Sequence, residues 1–69
     1  MDSYRRETRR IIDRFLDHRL SFPECIAALD AALAEFMSRF NPDQLADVRA
    51  LMLANNEIVM KEMERRGTP

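Results

Sequence analysis

Hydrophobic positions along the chain recur at intervals of three and four residues in three successive segments. The first segment repeats this spacing on one side, at Tyr4, Thr8, Ile11, Ile12, Phe15, Leu16 and Leu20. Such intervals are typical of an amphipathic α-helix. The pattern therefore predicts a first helix over about residues 3–20, with Asp2 or Ser3 as its N-terminal cap.

The stretch "LSFPEC" interrupts the first pattern and begins the second. Pro23 disfavours helical geometry at the residue before it, and Ser21 and Glu24 have the S-x-x-E spacing of a capping box. We therefore predict a second helix over about residues 23–40. Its large side chains form a heptad-like row at Ile26, Leu29, Leu33, Phe36 and Phe40. Its opposite side is small, with Ala27, Ala31, Ala34 and Ser38, so the helix is expected to lie between two neighbours.

A second interruption of the pattern, "FNPDQL", precedes the last segment. Asn41 suits the N-cap and Pro42 the first helical position. At the other end, Gly67 supplies the usual C-terminal stop. These signals predict a third helix over about residues 42–66. Two short connections favour antiparallel neighbours, so residues 1–69 are expected to form one all-α domain, an up-down-up three-helix bundle. A helical-hairpin unit completed by dimerisation fits the same pattern.

The length of 69 residues limits how much core such a domain can bury. Chains of this size bury about 60% of their unfolded surface, and their cores rarely supply more than about 3–5 kcal/mol. Cys25 is the only cysteine and His18 the only histidine, so no intrachain disulfide, metal site or cofactor is predicted. Oligomerisation is the remaining way to add stability.

Charge and hydropathy restrict the location and the class of partner. Eleven basic and twelve acidic residues give a net charge of −1, which argues against a protein whose main task is to coat nucleic acid. The N-terminus has no apolar signal-peptide region, and no uncharged apolar run approaches the ~20 residues that span a bilayer. With a single free thiol, a cytoplasmic protein without membrane contact is expected.

The third helix is apolar around an unusually wide arc. On a helical wheel the arc covers roughly 220°, about twice the ~100° expected of a surface helix. Covering one exposed Leu or Met contributes about 1.5–3 kcal/mol, so self-association as a homodimer is predicted. The predicted interface comprises Leu51, Met52, Leu53, Asn55, Asn56, Ile58, Val59, Met60 and Met63.

Two adjacent asparagines lie at the centre of this apolar region. One heptad-like seam of the helix places Asn55 at a core position, and the alternative seam places Asn56 there. A buried amide without a partner costs about 1–3 kcal/mol, and across a two-fold axis its partner is the same residue of the other chain. We hypothesise that such a pair fixes the register of the dimer. Alternatively, one amide is solvated and the other bonds a backbone carbonyl within the monomer.

The segment "YRRETRR" is the feature most suggestive of a ligand. Residues 4–20 carry a net charge of +3, and arginine forks match phosphate groups or an acidic partner helix. The candidate contacts are Arg5, Arg6, Arg9 and Arg10. A solvated or intersubunit charged face is the competing explanation for the same four residues.

No residue pattern indicates catalysis. Cys25 and His18 could approach each other across the first turn, but no orienting acid or oxyanion hole accompanies them. We therefore predict a non-enzymatic protein that acts by self-association and protein–protein interaction, as an adaptor, a small regulator or a subunit. The alternative is a nucleic-acid-associated regulator that uses the arginines of the first helix. The start of the third helix is acidic and apolar, which argues against its use as a DNA-reading helix.

Overall fold

The computed structural model describes residues 2–39 and 41–67, and this part of the chain is α-helical without any strand. The elements are α1 (Asp2–Leu16), α2 (Phe22–Met37), a 3₁₀ turn (Pro42–Gln44) and α3 (Leu45–Arg65). The all-α prediction and its three helices are confirmed.

The end of α1 is set by backbone geometry and comes earlier than the apolar pattern predicted. His18 has a φ of 62°, in the left-handed region. The N–H of Arg19 donates to the carbonyl of Arg14 at 2.9 Å, and the N–H of His18 donates to the carbonyl of Phe15 at 3.1 Å. This pair of bonds is a Schellman motif. It stops the helix at Leu16 and turns the chain towards α2.

The start of α2 is the predicted capping box. The Ser21 hydroxyl accepts a hydrogen bond from the Glu24 N–H at 3.2 Å, and the Glu24 carboxylate accepts one from the Ser21 N–H at 2.9 Å. These bonds lower the pKa of Glu24. The helix ends at Met37, three residues before the predicted end at Phe40, which lies outside the described residues.

Both ends of α3 also carry the expected caps. The side chain of Asn41 accepts a hydrogen bond from the Asp43 N–H at 3.0 Å, although a 3₁₀ turn precedes the α-helix proper. After the last residue of α3, Gly67 adopts a φ of 69°. Its N–H donates to the carbonyl of Glu64 at 3.0 Å. Gly67 therefore ends the helix as predicted.

Aromatic and arginine contacts fix the relative directions of the helices. Tyr4 at the start of α1 stacks on Phe36 near the end of α2, with ring centroids 4.8 Å apart. Phe15 at the end of α1 meets Phe22 at the start of α2 at 6.5 Å, so the two helices run antiparallel. Arg66, just after α3, donates to the Phe15 carbonyl at 2.9 Å. The C-terminal ends of α1 and α3 therefore meet, which gives the up-down-up order.

Helix α1 contributes most of the core. Its buried members Tyr4, Ile11, Ile12 and Phe15 pack with Cys25 and Ala32 of α2 and Val59 of α3. Helices α2 and α3 both lie against α1, and no Cα atom of one comes within 8 Å of a Cα atom of the other. The expectation that α2 lies between two neighbours is therefore wrong. Ala27, Ala31 and Ala34 are exposed to solvent, because the central position belongs to α1.

Candidate protein-interaction surfaces

The inner side of α3 faces α1 and is buried in the folded chain. It consists of Val48, Asn55, Val59 and Glu62. Val59 is only 2% exposed and belongs to the core. Although Val59 was predicted at the dimer interface, a second copy cannot reach it without unfolding the domain. Leu51 and Met63 also pack partly against this core, and Met52 is half-buried.

A second surface, the outer flank of α3, is exposed. We define it as Arg49, Leu53, Asn56, Met60 and Glu64, which follow one another at intervals of three and four residues. Leu53 is 70% exposed and Met60 55% exposed. Large apolar side chains are therefore exposed to solvent along one stripe of α3. Of the residues predicted at the interface, Leu53, Asn56 and Met60 lie on this flank and are exposed.

On the other side of the inner row, α1 and α3 part to form a cleft of about 690 Å³. Its apolar lining comes from Ile12 and Leu16 of α1 and from Leu51, Ala54 and Ile58 of α3. Leu16 and Ile58 are 38% and 42% exposed. Ile58, predicted at the dimer interface, therefore lies on the cleft and not on the outer flank.

Charged side chains line the same cleft at the N-terminal half of α1. Arg5, Arg6 and Arg9 contribute cations, and Asp2 and Asp13 contribute carboxylates. Arg9 lies 3.7 Å from Asp13, both largely exposed. Arg5 and Arg6 make no ion pair within the described residues. The structure thus brings three of the four predicted arginines to one place.

Arg10, the fourth predicted contact, does not line this cleft. It follows Arg9 directly along α1, and one residue corresponds to about 100° of rotation around the helix. The four arginines therefore do not form a single ligand-facing cluster. Whether the three cleft arginines bind an acidic partner stays a prediction.

The two adjacent asparagines occupy different environments. Asn55 is 8% exposed and lines the cleft, yet its side chain makes no hydrogen bond with the described residues. No side-chain nitrogen or oxygen in this part of the chain is shut off from solvent without a partner, so the amide of Asn55 stays accessible to water. Asn56 is exposed on the outer flank.

At the opposite end of the α1–α3 contact, an ionic network closes the gap between the helices. The carboxylate of Glu62 accepts from Arg65 at 2.6 and 2.9 Å and from Arg66 at 2.7 Å. Hydrogen bonds from Arg65 and then Arg66 lower the pKa of Glu62 to about 2. The guanidinium of Arg66 lies 4.5 Å from the centre of the Phe15 ring, a cation–π contact.

Cys25 and His18 do not form an accessible reactive pair. Cys25 is fully buried, and burial raises the pKa of its thiol. The dipole at the start of α2 therefore does not produce the lowered pKa that a nucleophilic cysteine needs. His18 is exposed at the left-handed turn after α1.

None of the helices described is long and apolar enough to cross a membrane. Among the described residues, no group of three or more His, Cys, Asp or Glu side chains could hold a metal ion. No protein-family model, curated protein or solved structure matches this chain.

Proposed function

We propose that this chain is a small non-enzymatic interaction protein that forms a homodimer through the outer flank of α3. The observation that carries the proposal is the exposure of Leu53 and Met60 on that flank, at 70% and 55%. Scattered exposed apolar residues are ordinary. These two lie one above the other on the same stripe, which is the arrangement of a helix that packs against another helix.

The energetic gain from covering this flank is large for a domain of this size. Burying one Leu or Met contributes about 1.5–3 kcal/mol, and a two-fold contact covers both side chains on both protomers. The net stability expected of so small a core is about 3–5 kcal/mol. The chain also exposes 5087 Å², compared with about 4,500 Å² for a typical folded monomer of its mass.

The residues of the flank are complementary to themselves in one arrangement. In an antiparallel two-fold contact, Leu53 of one protomer faces Met60 of the other when the axis passes between positions 56 and 57. The same axis places Arg49 opposite Glu64. Neither of these charged side chains makes an ion pair within the described residues. A second copy therefore supplies an apolar partner and a charged partner at once.

Asn56 lies beside the axis of this arrangement. Its amide, exposed in the monomer, meets the same amide of the partner, and each can donate to and accept from the other. Sliding the helices by one turn would oppose an amide to Leu53 or Met60. The pair therefore favours a single register, as a polar residue does in a coiled-coil seam.

The size of the protein in solution tests the dimer. We expect sedimentation equilibrium to give twice the chain mass of 8.1 kDa, with Leu53→Lys reducing the mass to that of the monomer. Ile58→Lys is the matched control, because Ile58 is also an exposed apolar residue of α3 but lies on the cleft. A stable wild-type monomer at high concentration would overturn the proposal.

A charge exchange between protomers tests the register. Arg49→Glu places two carboxylates opposite each other at both ends of the contact, and Glu64→Arg places two guanidinium groups there. Each variant alone should dimerise more weakly than the wild type, whereas an equimolar mixture of the two should form a heterodimer. If the mixture associates no better than the single variants, the antiparallel register is wrong.

Within the cell, such a dimer would act as an adaptor, a small regulator or a subunit of a larger assembly, and we place it in the cytoplasm. Cys25 is a lone, buried thiol, which fits that compartment. Fractionation of cells that produce the tagged chain would test the location; recovery outside the cytoplasm would contradict it.

A further inference from the structure

We infer that the cleft between α1 and α3 binds one amphipathic helix of a different protein, with carboxylates facing Arg5 and Arg9 and apolar side chains facing Leu16 and Ile58. The cleft lies on the opposite flank of α3 from the proposed dimer contact. Each protomer can therefore bind its own partner helix, and the inference does not depend on dimerisation.

The unpaired amide of Asn55 indicates that the cleft is a binding site. Its side chain is 8% exposed and lines the cleft, but forms no hydrogen bond with the described residues. The amide offers two donors and an acceptor. An entirely apolar ligand would strip water from this amide and leave it without a partner. The occupant must therefore carry a polar side chain at that level.

The cleft is polarised along its length, and this polarity defines the chemistry of the partner. Arg5, Arg6 and Arg9 lie in the N-terminal half of α1, whereas the apolar Ile12 and Leu16 follow in its C-terminal half. Asp2 and Asp13 also line the cleft, so the three cations outnumber the carboxylates by one. Arg5 and Arg6 have no counter-ion among the described residues. Arg9 lies 3.7 Å from Asp13, an exposed ion pair that contributes little and that a carboxylate of the partner can replace. Carboxylates are the natural partners of these arginines, because guanidinium groups bind carboxylates through two parallel hydrogen bonds.

The dimensions favour a helix over a small molecule. Along α1 the lining extends from Asp2 to Leu16, about 21 Å, and along α3 it extends from Leu51 to Ile58, about 10 Å or two helical turns. Small-molecule sites usually enclose 70–90% of their ligand. This cleft is open, with Leu16 and Ile58 both more than a third exposed. A helix laid into an open groove buries only one face, and its backbone needs no bonds from the groove.

Two designed peptides test the inference by fluorescence anisotropy. The probe is an alanine-rich helix of about 18 residues, long enough to hold helical structure in water. It carries a leucine stripe over two turns, a glutamine beside the stripe and glutamates on the next two turns. A second version has these turns in the reverse order, so that either orientation of the helix in the cleft is tested. Its twin has lysine at each glutamate position. We expect the glutamate peptide to bind about tenfold more tightly than the lysine peptide.

Variants of the full chain assign this preference to the cleft. The double variant Arg5→Glu with Arg9→Glu should reverse the preference between the two peptides. Arg10→Glu with Arg14→Glu is the matched control, since neither residue lines the cleft, and should keep the original preference. Asn55→Leu should weaken the glutamine peptide several-fold but not a version with leucine at that position. Circular dichroism before and after heating checks that each variant is folded.

Four results would overturn the inference. Equal binding of the two peptides would show that the arginines do not select the partner. An unchanged preference in the Arg5 and Arg9 double variant would show that the peptide binds at another surface. Tighter binding of a peptide with the sequence of α2, which carries Glu24, Asp30 and Glu35 without a basic residue, would identify a second copy of this chain as the occupant. Displacement of the peptide by dodecanoate or by mixed-sequence RNA would identify a different class of ligand.

Discussion

The two ends of the contact between α1 and α3 are built in opposite ways. At the C-terminal end, Phe15 and Val59 are almost completely buried, and Arg66 joins the two helices by a hydrogen bond to the Phe15 carbonyl. The remainder of the contact, which we call the open end, borders the cleft that extends along α1 from Asp2 to Leu16. There Asn55 has no protein partner and Arg5 is exposed. One end stabilises the fold, and the other leaves groups available for binding.

This division shows how a small domain can be both stable and able to bind. At the closed end, the buried carboxylate of Glu62 accepts hydrogen bonds from Arg65 and Arg66, and Arg66 also donates to the Phe15 carbonyl. The open end keeps an unpaired amide and unpaired cations, features that lower stability but suit recognition. If the comparison is right, substitutions at the closed end should destabilise the domain, and an apolar substitution at the open end should stabilise it.

The largest expected effect is that of Arg66→Met. The substitution removes the hydrogen bond to Phe15 and the cation–π contact with its ring, and it withdraws one donor from Glu62. A hydrogen bond to a charged group contributes about 1.5–3 kcal/mol, so the free energy of unfolding should fall by about 2 kcal/mol. Urea denaturation at fixed protein concentration measures this.

Arg65→Met is the control for Arg66→Met. Arg65 also bonds Glu62, but it is 67% exposed and forms no hydrogen bond or ion pair with α1, so its loss should matter less. Equal losses for the two variants would show that the link between α3 and α1 contributes nothing beyond the ion pair.

The next effect concerns acid stability. Since the pKa of Glu62 is about 2 in the folded chain and 4.5 is its ordinary value, the ionised carboxylate stabilises the fold above pH 4.5. That stabilisation is lost as the pH falls from 4.5 towards 2. Glu62→Gln should therefore flatten this part of the stability profile. Glu24→Gln is the comparison, because the pKa of Glu24 is also lowered but by its cap at the start of α2. If the free energy of unfolding of Glu62→Gln falls with pH as steeply as that of the wild type, Glu62 is not the source of the acid sensitivity.

Local signals in the sequence predicted three of the helix caps. They failed at the start of α1, where Asp2 and Ser3 lie inside the helix and not at its N-cap, at the end of α1, and at the end of α2, which stops at Met37. The Ser21–Glu24 box, the Asn41 cap and the Gly67 stop each depend on residues within four positions of one another, so spacing alone revealed them. The Schellman turn after α1 has His18 at the position that glycine usually occupies. Without that glycine, the continuing apolar pattern suggested a longer helix.

Tertiary contacts account for what the sequence could not reveal. The bond between Arg66 and Phe15 joins residues 51 positions apart, and no periodicity indicates such a pair. The helical wheel of α3 showed a wider apolar arc than a surface helix needs. It allowed two alternative core-facing seams, one with Asn55 and one with Asn56. Packing on α1 buries Asn55 and exposes Asn56. It also splits the apolar surplus into two separate flanks, a division that depends on the position of α1.

A smaller effect, a gain in stability, is expected from His18→Gly. The backbone N–H of His18 is the second donor to the Phe15 carbonyl, beside Arg66. A side chain in the left-handed region costs roughly 1–2 kcal/mol, and glycine removes this cost but loses more backbone entropy on folding. The net free energy of unfolding should rise by about 0.5–1 kcal/mol. His18→Ala keeps the Cβ atom and should give no such gain. A glycine variant less stable than the alanine variant would show that the His18 side chain itself supports the turn.

The smallest effect, and the one that most directly tests the comparison, is that of Asn55→Leu at the open end. Its amide is largely buried without a protein partner, so an apolar side chain that packs between Ile12 and Leu51 should raise the free energy of unfolding by up to about 1 kcal/mol. The measurement belongs in the Leu53→Lys background, where the proposed dimer no longer contributes to unfolding. Asn56→Leu in the same background should leave stability unchanged, because that side chain is exposed. A loss of stability in Asn55→Leu would mean that the amide supports the fold, and the open end would then be structural. A gain accompanied by weaker binding of the glutamine peptide would show that the chain retains Asn55 at the expense of its own stability, as expected of a residue kept for recognition.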